Sequence, residues 1–275
     1  MIKKQLIMEK ALELFAEQGF EATSVQQVTE HCGISKGAFY LSFKSKDELI
    51  IALIDQFMMQ VVTDIDRIVR DTNDEQLLYE FYYSIYQSFH KHSDFAKVLM
   101  KEQSQTLNKE LIQKMRSYDK LLEDTILSMI ERLYGGRVQE IKYDLMYSIK
   151  SFMNMYSHLF VFYSIPVDLK LLADSLVEKT NLLANNATVP FVSMELHHMM
   201  EPMNEEITKE QILDTLEQKI AEIEEPIEKE SLILLKQQLG EQSFSHAIVK
   251  GLIENIRNHP HCKWVSYLLR RYYKL

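Results

Sequence analysis

Residues 19–50 read GFEATSVQQVTEHCGISKGAFYLSFKSKDELI, and their punctuation decides the fold of the N-terminal part of the chain. Upstream, Leu6, Ile7, Ala11, Leu14 and Phe15 recur at helical spacing. That pattern stops at Gly19, which suits a left-handed C-cap, with Phe20 packing back on the helix. Ser24 followed by Gln27 is a capping box, and it opens a second helix over about Val25 to His31 with Val25, Val28 and Cys32 on one face. Gly33 ends that helix, Ile34 returns an apolar side chain to the core, and Ser35 caps a third helix written KGAFYLSF. Two short helices joined by a three-residue, glycine-containing turn form a helix-turn-helix. Ser45 with Glu48 makes another capping box, which starts a fourth helix.

Gly37 stands out, because a glycine near the start of a helix costs about 1 kcal/mol relative to alanine. Close approach of a DNA backbone is the best reason to keep it. Ala38 beside it is also small, and Lys36, Tyr40, Leu41 and Ser42 offer a charge, an aromatic hydroxyl, an apolar contact and a second hydroxyl to phosphates and base edges in a major groove. The net charge of −9 looks wrong for such a partner. Its distribution resolves the conflict. Residues 1–48 carry six lysines against seven acids, so −8 belongs to the rest of the chain, and the stretch Gly33 to Lys46 holds Lys36, Lys44 and Lys46 without a single acid.

Outside this head, no proline precedes Pro166, and the 46% hydrophobic content suffices for a real core. An all-α fold is therefore expected. The fourth helix continues through IIALIDQFMMQVVTDIDRIV and would serve head and body together. Further helices are expected near 74–92, 94–101, 106–134, 138–164 and 168–185, separated by Asn73, Ser93, Gly135-Gly136 and Ile165-Pro166. The chain lacks an apolar run of the ~18 residues that span a bilayer, so neither a signal peptide nor a membrane partner is expected. Two distant cysteines, Cys32 and Cys262, form neither a disulfide framework nor a zinc ribbon. The predicted compartment is the cytoplasm.

Gly19-Phe20, Thr23-Ser24, Gly33-Ile34-Ser35-Lys36-Gly37, Phe39-Tyr40, Phe43 and Lys46-Asp47-Glu48-Leu49 together resemble the DNA-binding head of the tetracycline-repressor (TetR) family, over about residues 5–55. The resemblance implies phosphate contacts from Thr23 and Ser24, a base contact from Gln26, and groove contacts from Lys36, Gly37, Ala38, Leu41 and Ser42. It places Tyr40 at a phosphate and Lys44 and Lys46 on the DNA backbone. The head departs from the family in two ways, with Cys32 where alanine is usual and no arginine anywhere, so bidentate reading of guanine by arginine is not available to it.

For the body, the resemblance implies an apolar cavity for a small lipophilic effector, and we place it among Phe89, Met100, Tyr118, Phe152 and Tyr156. It further implies a homodimer built on the helices near 138–164 and 168–185. A near-palindromic double-stranded DNA operator would follow, with half-sites ~34 Å apart or slightly more, together with repression relieved when the effector moves the fourth helix. The domain plan is then a DNA-binding head over 1–48, an effector-binding and dimerisation body over 49–185, and a C-terminal helical extension of unassigned role over 186–275.

In that extension residues 185–204 read as a loop with a short apolar turn, followed by helices at about 207–224, 227–239, 243–258 and 261 to the end. The acidic cluster Glu222, Glu224, Glu225, Glu228 and Glu230 reads as a solvated helix end, and His259-Pro260-His261-Cys262 lacks a second ligand group at metal-finger spacing. No metal or cofactor is expected. Phosphate loops, G-x-S-x-G, H-E-x-x-H and dinucleotide fingerprints are all missing, which leaves an enzyme without support. The competing reading is a DNA-tethering protein whose extended body binds another protein and no small molecule.

Overall fold

In a computed structural model the backbone is described for residues 2–91, 109–161, 163, 166–200 and 208–275. The helix expected near 94–101 lies outside the described residues. The chain divides into two compact units, Met1–Glu201 and Pro202–Leu275, and the described residues of both are helices and connections without a strand.

The first unit opens with α1 (Ile2–Gln18), α2 (Val25–Cys32), α3 (Lys36–Tyr40) and α4 (Lys46–Asp71). Ile7, Ala11, Phe15, Phe20, Val28, Phe39 and Phe43 close on one another, and the first two turns of α4 complete this core with Leu49, Ile50, Leu53 and Ile54. Each start signal works through a side chain. Ser24 and Gln27 form the full capping box of α2, and Ser35 accepts from the Ala38 amide. At α4 only half of the expected box forms. Ser45 accepts from the Glu48 amide, whereas the Glu48 carboxylate reaches back to the Lys44 amide at 2.6 Å.

Helix α3 is shorter than the KGAFYLSF segment suggests. The Ser42 and Phe43 amides both converge on the Phe39 carbonyl, which tightens the chain after Tyr40. Phe43 is thereby turned inward, its ring centroid 6.0 Å from that of Phe39.

The body continues with α5 (Asp74–Lys91), α6 (Lys109–Tyr134), α7 (Lys142–Val161), α8 (Leu169–Asn186) and α9 (Met194–Met200). Between α6 and α7, at the break expected from Gly135-Gly136, the segment Gly135–Val138 is a 3-10 turn in which Gly135 takes φ +55°, and α7 starts at Lys142 where a start near 138 was expected. The core joins Ile65 and Val69 of α4 to Leu77, Phe81, Tyr82 and Tyr86 of α5, Ile126 and Met129 of α6, Met146 and Ile149 of α7 and Leu172 and Leu176 of α8. Buried aromatic hydroxyls need partners here. Tyr82 and Thr180 share a hydrogen bond of 2.7 Å, and Tyr86 donates to the Phe152 carbonyl at 2.8 Å. Arg132 ties the end of α4 to α6 by donating to the Val69 and Thr72 carbonyls.

Residues 187–200 were expected to be largely loop. They carry the two-turn helix α9, started by Ser193, whose hydroxyl accepts from the Leu196 amide. The segment is held on α7 because Asp144 accepts from the Phe191 and Val192 amides and buried His197 stacks on Tyr143 at 4.4 Å.

The second unit is made of α10 (Lys209–Glu222), α11 (Pro226–Glu241), α12 (His246–Arg257) and α13 (Lys263–Tyr273). Ile212, Leu216, Leu232, Leu235, Val249, Ile253, Val265 and Leu269 are among its buried apolar residues. Both ends of the Gln238 amide bond the Phe244 backbone and fix the turn into α12. The tail α13, despite its three basic residues, sends Val265, Leu268 and Leu269 inward, so it is a structural helix of this unit. Cys262 is buried at the start of α13, and burial pushes its thiol up to about 11. In the acidic cluster, burial would raise the Glu222 carboxyl, but hydrogen bonds from Lys219 and Gln218 hold it below the usual carboxylate range.

Gly33 adopts φ +65° at the end of α2, a conformation that costs a residue with a Cβ roughly 1–2 kcal/mol. Gly33→Ala should therefore destabilise the protein by about that amount in a denaturant titration, and an unchanged midpoint would contradict the left-handed cap.

Candidate nucleic-acid interface

Helix α3 is presented by its own core contacts. Phe39 and Phe43 anchor it from below, and the residues between and before them are left outside. Tyr40 is 53% exposed and Leu41 is 91% exposed. An apolar side chain held almost entirely in water on a short, well-anchored helix marks a contact surface. Lys36, Gly37 and Lys44 are exposed with them, while Ala38 and Ser42 are half-buried. These residues share the face that α3 turns away from the head core.

Gly37 makes no demand inside the protein. A Cβ built on it would meet only the Ser35 hydroxyl, at 3.8 Å, an ordinary contact. Its backbone angles are also open to other residues. The packing of the head therefore gives no internal reason for the missing side chain.

Helix α2 adds exposed Ser24 and Gln26. The Gln26 amide is held at both ends. Its nitrogen donates to Glu30 at 2.9 Å and its oxygen accepts from the Lys36 ammonium at 3.3 Å. This bridge connects α2 to α3 and brings a carboxylate next to the two candidate readers, a feature that the sequence reading missed. The signal for it was the i, i+4 spacing of Gln26 and Glu30.

Two of the residues expected at phosphates, Thr23 and Lys46, have their side-chain polar atoms engaged within the head. Thr23 is buried, and its hydroxyl donates to the Gly19 carbonyl at 2.7 Å and accepts from Gln18 at 3.0 Å. Lys46 is half-buried, with its ammonium turned into the α1–α2 loop, 2.7 Å from the Phe20 carbonyl oxygen and 3.0 Å from that of Thr23. Both residues brace the head from inside.

On the opposite edge of α2, His31 meets Glu13 of α1 at 2.9 Å, and hydrogen bonds from Lys10 and His31 hold the Glu13 carboxyl below the usual carboxylate range. Cys32 is half-buried and burial raises its thiol, so it is a poor thiolate nucleophile.

Of the residues proposed for the effector cavity, Phe89, Phe152 and Tyr156 pack as half-buried rings against the body core, with the rings of Phe152 and Tyr156 6.5 Å apart. Tyr118 of α6 is buried. Its hydroxyl donates to Asp55 of α4 at 3.2 Å, and Asp55 also holds the Lys114 ammonium at 2.6 Å. Burial, with the Asp55 carboxylate beside it, pushes the Tyr118 phenol well up, so it remains a donor. Met100 lies outside the described residues.

An anchored α3 that exposes small, basic and apolar groups, set on α2 by a glycine turn, defines a helix-turn-helix DNA-binding head on a helical body. Residues 7–53 match the family of bacterial regulatory proteins described as the tetR family. The chain is 26% identical over 271 residues to the uncharacterized HTH-type transcriptional regulator YuxN of Bacillus subtilis, covering 92% of this chain and 91% of that one. It is 27% identical over 269 residues to the uncharacterized HTH-type transcriptional regulator YerO of the same organism, covering 92% and 89%. Among solved structures, the transcriptional regulator FadR from Bacillus subtilis in complex with stearoyl-CoA superimposes with a TM-score of 0.54 at 18% identity, covering 67% of this chain and 99% of that one. Residues 7–53 thus carry a DNA-binding head of the tetR-family type, and nearly the whole chain is similar to HTH-type transcriptional regulators. Its alignments with the two Bacillus regulators leave too few residues uncovered to omit the second unit, so that extension is shared with them in part.

Gly37→Ala separates binding from folding. The variant should be as stable as the parent or more stable, by up to about 1 kcal/mol, while losing about tenfold in operator affinity, equivalent to 1.4 kcal/mol. Equal affinity in a fluorescence-anisotropy titration would show that nothing approaches this position.

Proposed function

We propose that this regulator is a cytoplasmic homodimer and a repressor that leaves a near-palindromic operator when a small lipophilic effector binds its body. The DNA contacts are assigned to Ser24, Gln26, Lys36, Gly37, Ala38, Tyr40, Leu41, Ser42 and Lys44. The observation that carries the coupling is the double membership of α4. Its first turns complete the head core and its later residues Ile65 and Val69 lie in the body core. Helix α6 adds a second hold, since Lys114 and Tyr118 clasp Asp55 while Met115 packs on the head core.

A ligand that repositions α6 against α4 would therefore act on the heads directly. It would do so only through its different affinity for the two arrangements. The ring-rich surface around Phe89, Phe152 and Tyr156 suits an apolar ligand, and the FadR relative with stearoyl-CoA makes long acyl thioesters the first class to test. Dimerisation through α7 and α8 is favoured by the large apolar side chains those helices leave in water, Met155, Leu171 and Leu182. The proposed domain plan remains a head over 1–48, a body over 49–185 and an extension over 186–275, of which residues 191–197 pack on the body and Pro202–Leu275 form the separate compact unit.

The test joins operator release to ligand binding. A long-chain acyl thioester should raise the melting temperature and lower operator affinity. Asp55→Ala should keep the thermal shift and lose most of the release. Should no lipophilic ligand move either quantity, the body would be left to a protein partner. Leu182→Glu should shift the dimer toward monomer in sedimentation and weaken operator binding with it; a dimer that survives would place the interface elsewhere.

A further inference from the structure

The ammonium of Lys46 sits at a position where a DNA-backbone lysine would be expected, yet it faces inward. Lys46 is the first residue of α4, and its side chain crosses to the loop between α1 and α2. There it donates to the Phe20 carbonyl at 2.7 Å and the Thr23 carbonyl at 3.0 Å, with the Glu21 carbonyl at 3.5 Å. The same ammonium lies 4.1 Å from the centroid of the Phe20 ring. An ammonium has three N–H donors, and three carbonyls and one aromatic face surround this one. Little remains for a phosphate.

The loop it holds is the one that sets the start of α2. Phe20 is itself fixed in the core, edge-on to Phe15 at 5.2 Å, and its carbonyl also accepts from the Thr23 amide. Gly19 turns the chain with φ +92°, and its carbonyl takes the Thr23 hydroxyl. Immediately after Thr23 comes Ser24, the exposed N-cap of α2. Without a cation, carbonyls that point toward one place repel each other. With Lys46 among them, the Phe20–Thr23 turn is closed and Ser24 is delivered in one orientation.

We propose that Lys46 is a positioning residue for DNA binding, which fixes the Phe20–Thr23 turn and through it Ser24, and that it does not itself pair with a phosphate. This rests on the reading of the head as the DNA interface. The two roles make opposite predictions about salt. A lysine that neutralises a phosphate contributes about 0.9 to the log–log slope of affinity against salt; a lysine held by carbonyls contributes close to none.

The experiment measures operator affinity against salt concentration for the full-length parent, Lys46→Met, Lys46→Arg, Lys44→Met and the double variant Ser24→Ala/Lys46→Met, at temperatures where circular dichroism shows each folded. Lys46→Met should lose about tenfold in affinity, the scale of one charge-assisted hydrogen bond, with its slope unchanged. Lys46→Arg should not restore affinity, because a planar guanidinium cannot take the centre of three carbonyls. In the Ser24→Ala background the same Lys46→Met change should cost less than about threefold, since coupled residues are non-additive. Exposed Lys44 is the internal control, and Lys44→Met should flatten the slope by about 0.9. A slope flattened to that extent by Lys46→Met, full rescue by arginine, or an undiminished cost without Ser24 would each overturn the positioning role. A parent protein whose DNA binding shows no salt dependence would instead remove the interface reading beneath it.

Discussion

The structure of the first unit depends on the burial of one continuous helix in two cores. Leu49, Ile50, Leu53 and Ile54 close the head, and Ile65 and Val69, up to five turns further along α4, lie in the body. Hydrophobic burial at both ends leaves α4 little freedom to move relative to either core, because packed interiors respond to displacement by rearranging as units. The three-helix head is too small to be a stable domain on its own apolar surface. It borrows its fourth wall from the helix that also anchors the body, so head and body share one element.

Polar contacts sharpen that constraint at two places. Arg132 holds the end of α4 through the Val69 and Thr72 carbonyls, and the Asp55 cluster holds its middle to α6. Lys46 acts at the other end, where α4 begins, by gathering the carbonyls of the α1–α2 loop. The head is thus braced from inside by a cation that a residue-type inventory would assign to DNA. The exposed groups around α3 include Lys36, Gly37, Tyr40, Leu41 and Lys44. With no arginine in residues 1–48, bidentate reading of guanine by arginine is not open to the head.

Local chemistry made much of this legible before any coordinates. Gly19 and Gly33 stop helices through left-handed caps, and Ser24 and Ser35 start them, as their side chains and spacing indicate. Long-range side-chain choices were not legible. Lys46 has carbonyl partners 23 to 26 residues away, Tyr118 has its partner 63 residues away, and no local pattern encodes either. The burial of Thr23 was hidden for the same reason, since Gly19 and Gln18 claim its hydroxyl only once the turn is made. Helix α9 was missed because its start depends on Ser193 and its hold on Asp144, which lies on another helix.

Hydrogen exchange read by mass spectrometry, with and without a DNA fragment that the protein binds, tests the coupling through α4 most directly. If α4 links the two cores as one element, DNA should slow exchange over residues 24–44 and also in the Lys114–Tyr118 turn of α6, which clasps Asp55 of α4. Protection that ends with the head, leaving residues 114–118 unchanged, would contradict a shared helix as the route between DNA and body.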